Sequence, residues 1–380
     1  MECTLYLADD CNLKCSYCYE GHDKLHNRIS KETLEKAIDF MVRVNEDEEI
    51  DLNFLGGEPM LNKEMMYYAV KYIKEQHNIK FNYTITTNGT CCEREDIDFM
   101  FQNNFEISFS VDGKRETHNM NRCAKNSQVE SKLYDKIMSN LNYMIKRKIS
   151  VTVRMTVTCN IVKHFYENIL YFLDMGIRRF DIAFNEFEEW SAYSLQVLEH
   201  EMQKIDVLYL SNPAKIESLN FYDSKITFFI ANRKIQYCCA GRKSHFVISS
   251  EGCFYPCNYV CNRESWKMGS LDTIFNEKVC FNHIKKHIVA HSKCKNCEIR
   301  YACIGARCGF KNYCLTNEFN TPNDNLCNLE KILYKHNDLV FREMFRRRDK
   351  RVMKFYEIAV NEGYQLTNWM KEVVESEGLC

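Results

Sequence analysis

Apolar and polar positions along the first half of the chain follow two alternating periods. Strand-like apolar runs fall at Thr4–Ala8, Ile50–Leu55, Phe81–Thr86, Ile107–Val111, Val151–Val157 and Phe180–Phe184. Between them, Lys31–Val44, Glu64–Gln76, Arg94–Asn103, Lys132–Lys148 and Phe165–Met175 repeat their apolar residues at helical spacing. This alternation predicts βα units around a parallel sheet. Six strands are fewer than the eight of a closed barrel, so the expected fold class is α/β, a partial (β/α)6 TIM-like barrel. Ligand sites in parallel barrels lie at the C-terminal ends of the strands.

Beyond Phe184 the pattern changes. Ser194–Leu210 is helical, and residues 212–237 form a connector with one apolar stretch, Ile226–Ile230. From Cys238 to Cys327 twelve cysteines fall in ninety residues, with Gly252, Pro256, Gly269, Gly305 and Gly309 as turn residues. Such a segment has too little apolar core of its own and needs metal to fold. Leu329–Val340 and Met353–Val374 read as C-terminal helices. The expected organisation is a barrel over 1–211, a connector over 212–237, a cysteine-rich domain over 238–330 and terminal helices over 331–380. No internal repeat is evident.

Composition narrows the function classes. Hydrophobic residues make up 45% of the 380, enough for a large core, and the net charge is −1. That balance argues against a sequence-blind nucleic-acid or membrane-surface binder. The basic cluster Arg346-Arg347-Arg348 with Lys350-Arg351 reads as a solvated helix face. No apolar run is long enough to span a bilayer, and the N-terminal Met-Glu-Cys-Thr has no basic signal region, so a cytoplasmic location is expected. In that compartment 21 cysteines argue for metal ligation over disulfides.

The chemistry starts at Cys11-Asn12-Leu13-Lys14-Cys15-Ser16-Tyr17-Cys18, directly after the first strand. Three thiolates can hold three irons of a [4Fe–4S] cube and leave the fourth iron open. The competing structural reading is zinc, which usually takes four ligands in two paired knuckles. No second cysteine pair follows until Cys91. The spacing, with aromatic Tyr17 before the last cysteine, resembles the radical S-adenosylmethionine (SAM) superfamily. After the second strand, Gly56-Gly57-Glu58 lets backbone approach a neighbour closely. It reads as an ordinary βα turn or, by resemblance, as the family's GGE motif, which contacts the SAM amino group. Thr86-Thr87-Asn88-Gly89 resembles the family's TNG turn. Ser110 and Asp112, with His118 and Arg122 downstream, resemble its S-x-D-G segment. The resemblance implies that Ser110 reaches the SAM carboxylate or ribose, whereas Asp112 also suits a turn cap. Arg154 lies in strand five on one face with Thr152 and Thr156, and an arginine inside a barrel needs an anion. The SAM carboxylate is one such anion and a neighbouring acid is the other.

The second cysteine region has its own spacing. Cys239 is followed by twelve residues, Gly252, four residues and Cys257; then come Cys294-x2-Cys297-x5-Cys303, Cys308 and Cys327. This resembles the SPASM domain, which holds two auxiliary [4Fe–4S] clusters in peptide-modifying radical SAM enzymes. One gap departs from the pattern: four residues separate Cys303 from Cys308 where the family has three, which makes Cys314 a rival. The resemblance implies that auxiliary cluster I uses Cys257, Cys308 and one or both of Cys238 and Cys239. Cys238-Cys239-Ala240-Gly241 is similar to the family's C-x-A-G, which favours Cys238. A fourth ligand is the other of that pair, Cys253 or Cys261, or is absent. Auxiliary cluster II would use Cys294, Cys297, Cys303 and Cys327, where a zinc ribbon is the competing reading for the first pair. The implied cofactors are SAM and three [4Fe–4S] clusters.

The activity so implied is reductive cleavage of SAM to a 5′-deoxyadenosyl radical, which abstracts hydrogen from a ribosomal precursor peptide. Two outcomes compete. One is a thioether or carbon–carbon cross-link, favoured by Arg300-Tyr301-Ala302-Cys303 and Asn312-Tyr313. The other is sulfatase maturation, oxidising a Cys or Ser to formylglycine. Sulfatase maturases carry an Asp base where this chain has Asn258, and Asn cannot take a proton at neutral pH. Cross-linking is therefore the expected activity. A third class, a non-catalytic electron carrier, has no need of glycine turns at several strand ends. The chain starts at strand one without a leader-recognition domain, so leader binding falls to a separate protein or to the C-terminal helices. A flavodoxin- or ferredoxin-type donor is the expected source of electrons. Cys3, Cys91, Cys92, Cys123, Cys159, Cys280, Cys314 and Cys380 have no assigned chemistry, and packing is their default.

Overall fold

All six predicted strands form, each within two residues of its expected bounds. They are β1 (Glu2–Ala8), β3 (Glu49–Gly56), β4 (Lys80–Thr87), β5 (Glu106–Ser110), β7 (Thr152–Val157) and β8 (Arg179–Phe184). The computed structural model describes residues 1–125, 130–232, 245–276, 278 and 291–378. The chain divides into two compact units: residues 1–155, 174–177 and 239–286, and residues 156–173, 178–238 and 287–380.

In the first unit β1 lies inside a mostly parallel sheet. It pairs with β3 on one side and with β10 (His245–Ile248) on the other, both parallel. β3 pairs with β4, β4 with β5 and β5 with β7, again all parallel, while β11 (Phe254–Tyr255) closes the edge antiparallel to β10. β1 is buried along almost its whole length, as a parallel strand covered on both faces must be. The neighbouring strands alternate. Ile50, Leu52 and Phe54 of β3 are buried, as are Phe81, Tyr83 and Ile85 of β4. Their intervening residues form a polar ladder: Thr84 donates to Asn53 (3.0 Å), Asn53 to Thr4 (3.4 Å) and Asn82 to Asp51 (2.8 Å). Arg154 stands exposed on β7 beside half-buried Thr152 and Thr156, the shared face that the alternation predicts.

The helices follow their predicted periods. α1 (Lys31–Val44) starts at Ser30, whose side chain accepts from the Thr33 amide, and buries Leu34, Ala37, Ile38 and Met41. α2 (Lys63–Gln76), α3 (Arg94–Gln102), α4 (Arg115–Asn121), α5 (Glu130–Lys146) and α6 (Phe165–Met175) connect the next strands. A two-stranded antiparallel ribbon pairs β2 (Leu13–Cys15) with β6 (Arg122–Ala124) and sets Cys15 opposite Arg122. No sequence pattern announced it, because both strands are only three residues long.

In the second unit β8 pairs parallel with β9 (Ser218–Leu219). α7 (Ala192–Ser211) and the helix Asp324–Arg346 are joined by a buried bond of 2.5 Å between Asp206 and His336. The apolar stretch Ile226–Ile230 of the expected connector is a short helix with Phe229 buried. Met353–Val374, read as one helix, is two: Lys350–Asn361 and Asn368–Glu377. Gly363, at φ +70°, breaks them by adopting a backbone conformation that a side chain would strain. The basic cluster is internally matched. Arg346 and Arg347 pair with Glu343, and Arg351 pairs with Asp349. Among the described residues no helix is long and apolar enough to cross a membrane.

Candidate functional site

Cys11, Cys18, the two glycine turns, Ser110 and Asp112 lie at C-terminal strand ends of the first unit or in the loops that follow, whereas Cys15 lies on β2, His118 on α4, Arg122 on β6 and Arg154 within β7. β1 ends at Ala8 and runs into the loop carrying Cys11, Cys15 and Cys18, all half-buried. This loop is braced from several sides. The Leu13 amide donates to Cys11 Sγ (3.4 Å), and the Asn88 carboxamide donates to the same sulfur (3.8 Å) and to Asn12 Oδ1 (2.9 Å). Asn12 in turn donates to Thr90 (2.7 Å) and to Cys91 Sγ (3.7 Å). Cys91 therefore faces the cysteine loop, whereas Cys92 is buried.

The glycine turn holds this loop against the sheet. A Cβ on Gly56 would stand 2.0 Å from the Ala8 carbonyl oxygen, and one on Gly57 would stand 2.4 Å from that of Asp10. The amides of Gly57 and Glu58 donate to these two carbonyls, both at 2.9 Å. The glycines are thus required by the chain's own backbone next to Cys11. The Glu58 carboxylate is buried and accepts from the Met60 amide (3.0 Å), Thr87 Oγ1 (2.6 Å) and the Asn88 amide (2.7 Å). Burial pushes its pKa up, and those three donors oppose the shift. It joins the GGE turn to the TNG turn.

Asp112 is fully buried at the end of β5 and gathers a third set of residues. Tyr17 donates to Asp112 Oδ2 (2.6 Å), and Arg122 Nε lies 3.1 Å from the same oxygen as a buried ion pair. The Arg122 guanidinium stands over the Tyr17 ring and reaches Cys15 Sγ at 4.0 Å. His118 Nδ1 accepts from the Asp112 amide (3.4 Å), and burial together with Arg122 pushes its pKa down to about 3. Ser110, buried beside this group, pairs in register with Arg154. Sequence reasoning missed Asn12 and the reach of Arg122 to Cys15. Asn12 was visible inside the cysteine motif, but the ribbon that delivers Arg122 was not.

Burial pushes the Cys11 thiol up to about 12 and the Cys15 thiol up to about 11. A metal that displaces those protons is what makes such thiols ligands. An amide, a carboxamide and a guanidinium on two of the sulfurs suit a thiolate-bound anionic cluster, so the donor set fits.

In the second unit Cys294, Cys297, Cys303 and Cys327 line one cavity of about 540 Å³. Arg300 lines it too, and its Nε is buried without a hydrogen-bond partner among the described residues. An orphaned cationic donor beside four thiols fits an anionic cluster. Among the described residues no three His, Cys, Asp or Glu side chains are gathered closely enough for a single metal ion; these four cysteines surround a space instead. Burial pushes the Cys303 thiol up to about 12.

The residues expected at auxiliary cluster I are only partly described. Cys257 caps the turn Asn258–Val260, Cys253 is buried and Cys261 is half-buried, with its thiol pushed up by burial. In the second unit Cys308 caps the helix Gly309–Thr316, which carries Cys314. Cys238, Cys239, Cys280 and Cys380 lie outside the described residues.

The radical SAM superfamily model matches residues 5–175. A cysteine-type anaerobic sulfatase-maturating enzyme from Clostridium novyi (strain NT) is 27% identical over 372 residues, covering 88% of this chain and 97% of the relative. Among solved structures, native anSMEcpe with bound AdoMet superposes at a TM-score of 0.73 with 20% identity, covering 88% of this chain and 97% of that one. Streptococcus suis SuiB bound to S-adenosylmethionine superposes at 0.62 with 16% identity, over 86% and 76% of the two chains. The matched region begins inside β1 and takes in the cysteine loop with the three turns that brace it, so residues 5–175 form a radical SAM domain, followed in the sequence by a cysteine-rich C-terminal region.

Proposed function

We propose that this enzyme oxidises a cysteine or serine side chain of a peptide or protein, in the manner of anaerobic sulfatase maturation, using SAM and iron–sulfur clusters. The observation that carries this reading is the likeness to the Clostridium novyi enzyme along nearly the whole of both chains. The sequence alone favoured cross-linking, and this end-to-end likeness moves the balance to formylglycine formation. Cys11, Cys15 and Cys18 would hold the cluster, which would supply the electron that cleaves SAM and so the means of removing a hydrogen atom from the substrate β-carbon. Net, a cysteine side chain would lose one hydrogen atom to the nucleoside and then one electron, which would return to an iron–sulfur cluster, together with a proton released to solvent; water then replaces sulfur in the thioaldehyde, and hydrogen sulfide leaves.

The chain's own residues hold the parts in place. Asn88, Asn12 and the glycine turn fix the Cys11 loop. Asp112 locks Tyr17 and Arg122 beside Cys15. Ser110 and Arg154 stand in register on neighbouring strands, where they would receive the SAM carboxylate. Auxiliary cluster II would sit on Cys294, Cys297, Cys303 and Cys327.

A second reading, cross-linking of a precursor peptide, is favoured by Asn258. It follows Cys257 where a sulfatase maturase has its base, and its buried Oδ1 has no hydrogen-bond partner among the described residues. One experiment separates the two. Reconstituted protein, SAM and dithionite are incubated anaerobically with a cysteine-bearing sulfatase peptide and with a short cysteine-bearing peptide encoded beside the gene. Sulfatase maturation yields 5′-deoxyadenosine and a hydrazine-reactive aldehyde on the first peptide. Cross-linking yields loss of two hydrogens without an aldehyde on the second. Absence of 5′-deoxyadenosine with either peptide overturns both.

A further inference from the structure

Lys225 and Glu330 form an ion pair of 2.7 Å in the second unit, with their side chains only 13% and 5% exposed. No step described so far uses them. Their placement is specific to one cysteine. Lys225 Nζ donates to the Ala302 carbonyl (2.8 Å), and Glu330 Oε2 accepts from the Ile304 amide (2.8 Å). The pair therefore grips the backbone on both sides of Cys303. Glu330 also lies three residues after Cys327 on the helix Asp324–Arg346, on the same helical face. One carboxylate thus links the segments that carry two of the four cavity cysteines. The remaining charges at the cavity are Lys293, paired with Asp324, together with Arg300 and Lys331. Lys293, Asp324 and Lys331 are exposed to solvent, which screens them.

We propose that Lys225 and Glu330 are positioning residues that fix Cys303 as a ligand and, by balancing each other's charge, set the midpoint potential of the cluster on Cys294, Cys297, Cys303 and Cys327. This rests on the reading of those four cysteines as a cluster site. One-electron reduction makes an already anionic cluster more negative. An uncompensated cation beside it favours the reduced form, and an uncompensated anion opposes it. Two partners buried in one low-dielectric place cancel, and removing either exposes the other's field.

The test is an EPR-monitored redox titration of the anaerobically reconstituted holoenzyme. A Cys294→Ala/Cys297→Ala variant identifies this cluster's signal by difference. Glu330→Gln keeps an acceptor for the Ile304 amide while leaving Lys225 unbalanced, so the midpoint potential rises. Lys225→Met leaves Glu330 unbalanced, so it falls. The double variant returns towards the wild-type value. Shifts of opposite sign are the signature, because a pair that only stabilises the fold would not produce them. Unmoved potentials in both single variants, or shifts of the same sign, overturn the proposal. A single variant that loads no iron at this site is judged through the double variant; failure of the neutral pair to restore loading also overturns it. If Cys294→Ala/Cys297→Ala retains the full wild-type iron content, the cluster reading itself falls, an outcome distinct from an intact cluster with unmoved potentials.

Discussion

Asp112 shows how much of the site depends on one carboxylate. It holds the Tyr17 hydroxyl and the Arg122 guanidinium, and its own amide is bonded to His118. Asp112→Asn would leave Arg122 buried without its counter-charge. The expected cost is about 3–5 kcal/mol, read as a lower denaturant midpoint, with loosened binding of the N-terminal iron. His118 carries a pH dependence of definite sign. Its pKa lies near 3 in the folded state against about 6.5 unfolded, so the unfolded chain takes up a proton that the native chain refuses. Its contribution is complete above pH 6.5 and is lost as the pH falls towards 3. Between pH 7 and pH 5 the wild type should lose about 2 kcal/mol more than a His118→Gln variant, measured by parallel anaerobic unfolding. At this scale the cysteine trio and Asp112 were legible, because spacing and strand position reveal them. The link from Arg122 to Cys15 was not, since it crosses 107 residues through a ribbon too short to show periodicity.

The elements divide in the same way. Strands and helices of the barrel were readable because each has one buried face and one polar face, and period alone separates them. The Gly56-Gly57 turn was readable as a motif but not as a clamp, because its contact is to backbone, which carries no side-chain signature. Gly57→Ala would drive a Cβ into the Asp10 carbonyl. We expect that variant to lose the SAM-responsive EPR signal while keeping any iron bound at the cluster site proposed for the second unit. At the start of α1, Ser30→Ala removes the cap on the Thr33 amide. It should cost about 1 kcal/mol of stability with no change in iron content. The cysteine-rich segment gave only its spacings to the reader. Its elements are turns of three or four residues, such as Glu298–Tyr301 and Ile304–Ala306, too short to bear a period.

On the scale of the whole molecule, the second unit combines a conventional helical core with a region built around cysteines. The helix Asp324–Arg346 belongs to both. Its first turn carries Cys327, and further along His336 is bonded to Asp206 of α7. If Cys294, Cys297, Cys303 and Cys327 hold the proposed cluster, chelating its iron should strip hydrogen-exchange protection from residues 292–316 and from that first turn. Protection around His336 should remain, because apolar burial rather than metal holds it. The polar ladder of Asp51, Asn53, Asn82 and Thr84 gives the first unit a different property. Carboxamide and hydroxyl groups keep their hydrogens more firmly than an aliphatic carbon does. On the proposed function, a sheet face lined with such groups leaves a nucleoside radical fewer weak C–H bonds to attack than an aliphatic face would.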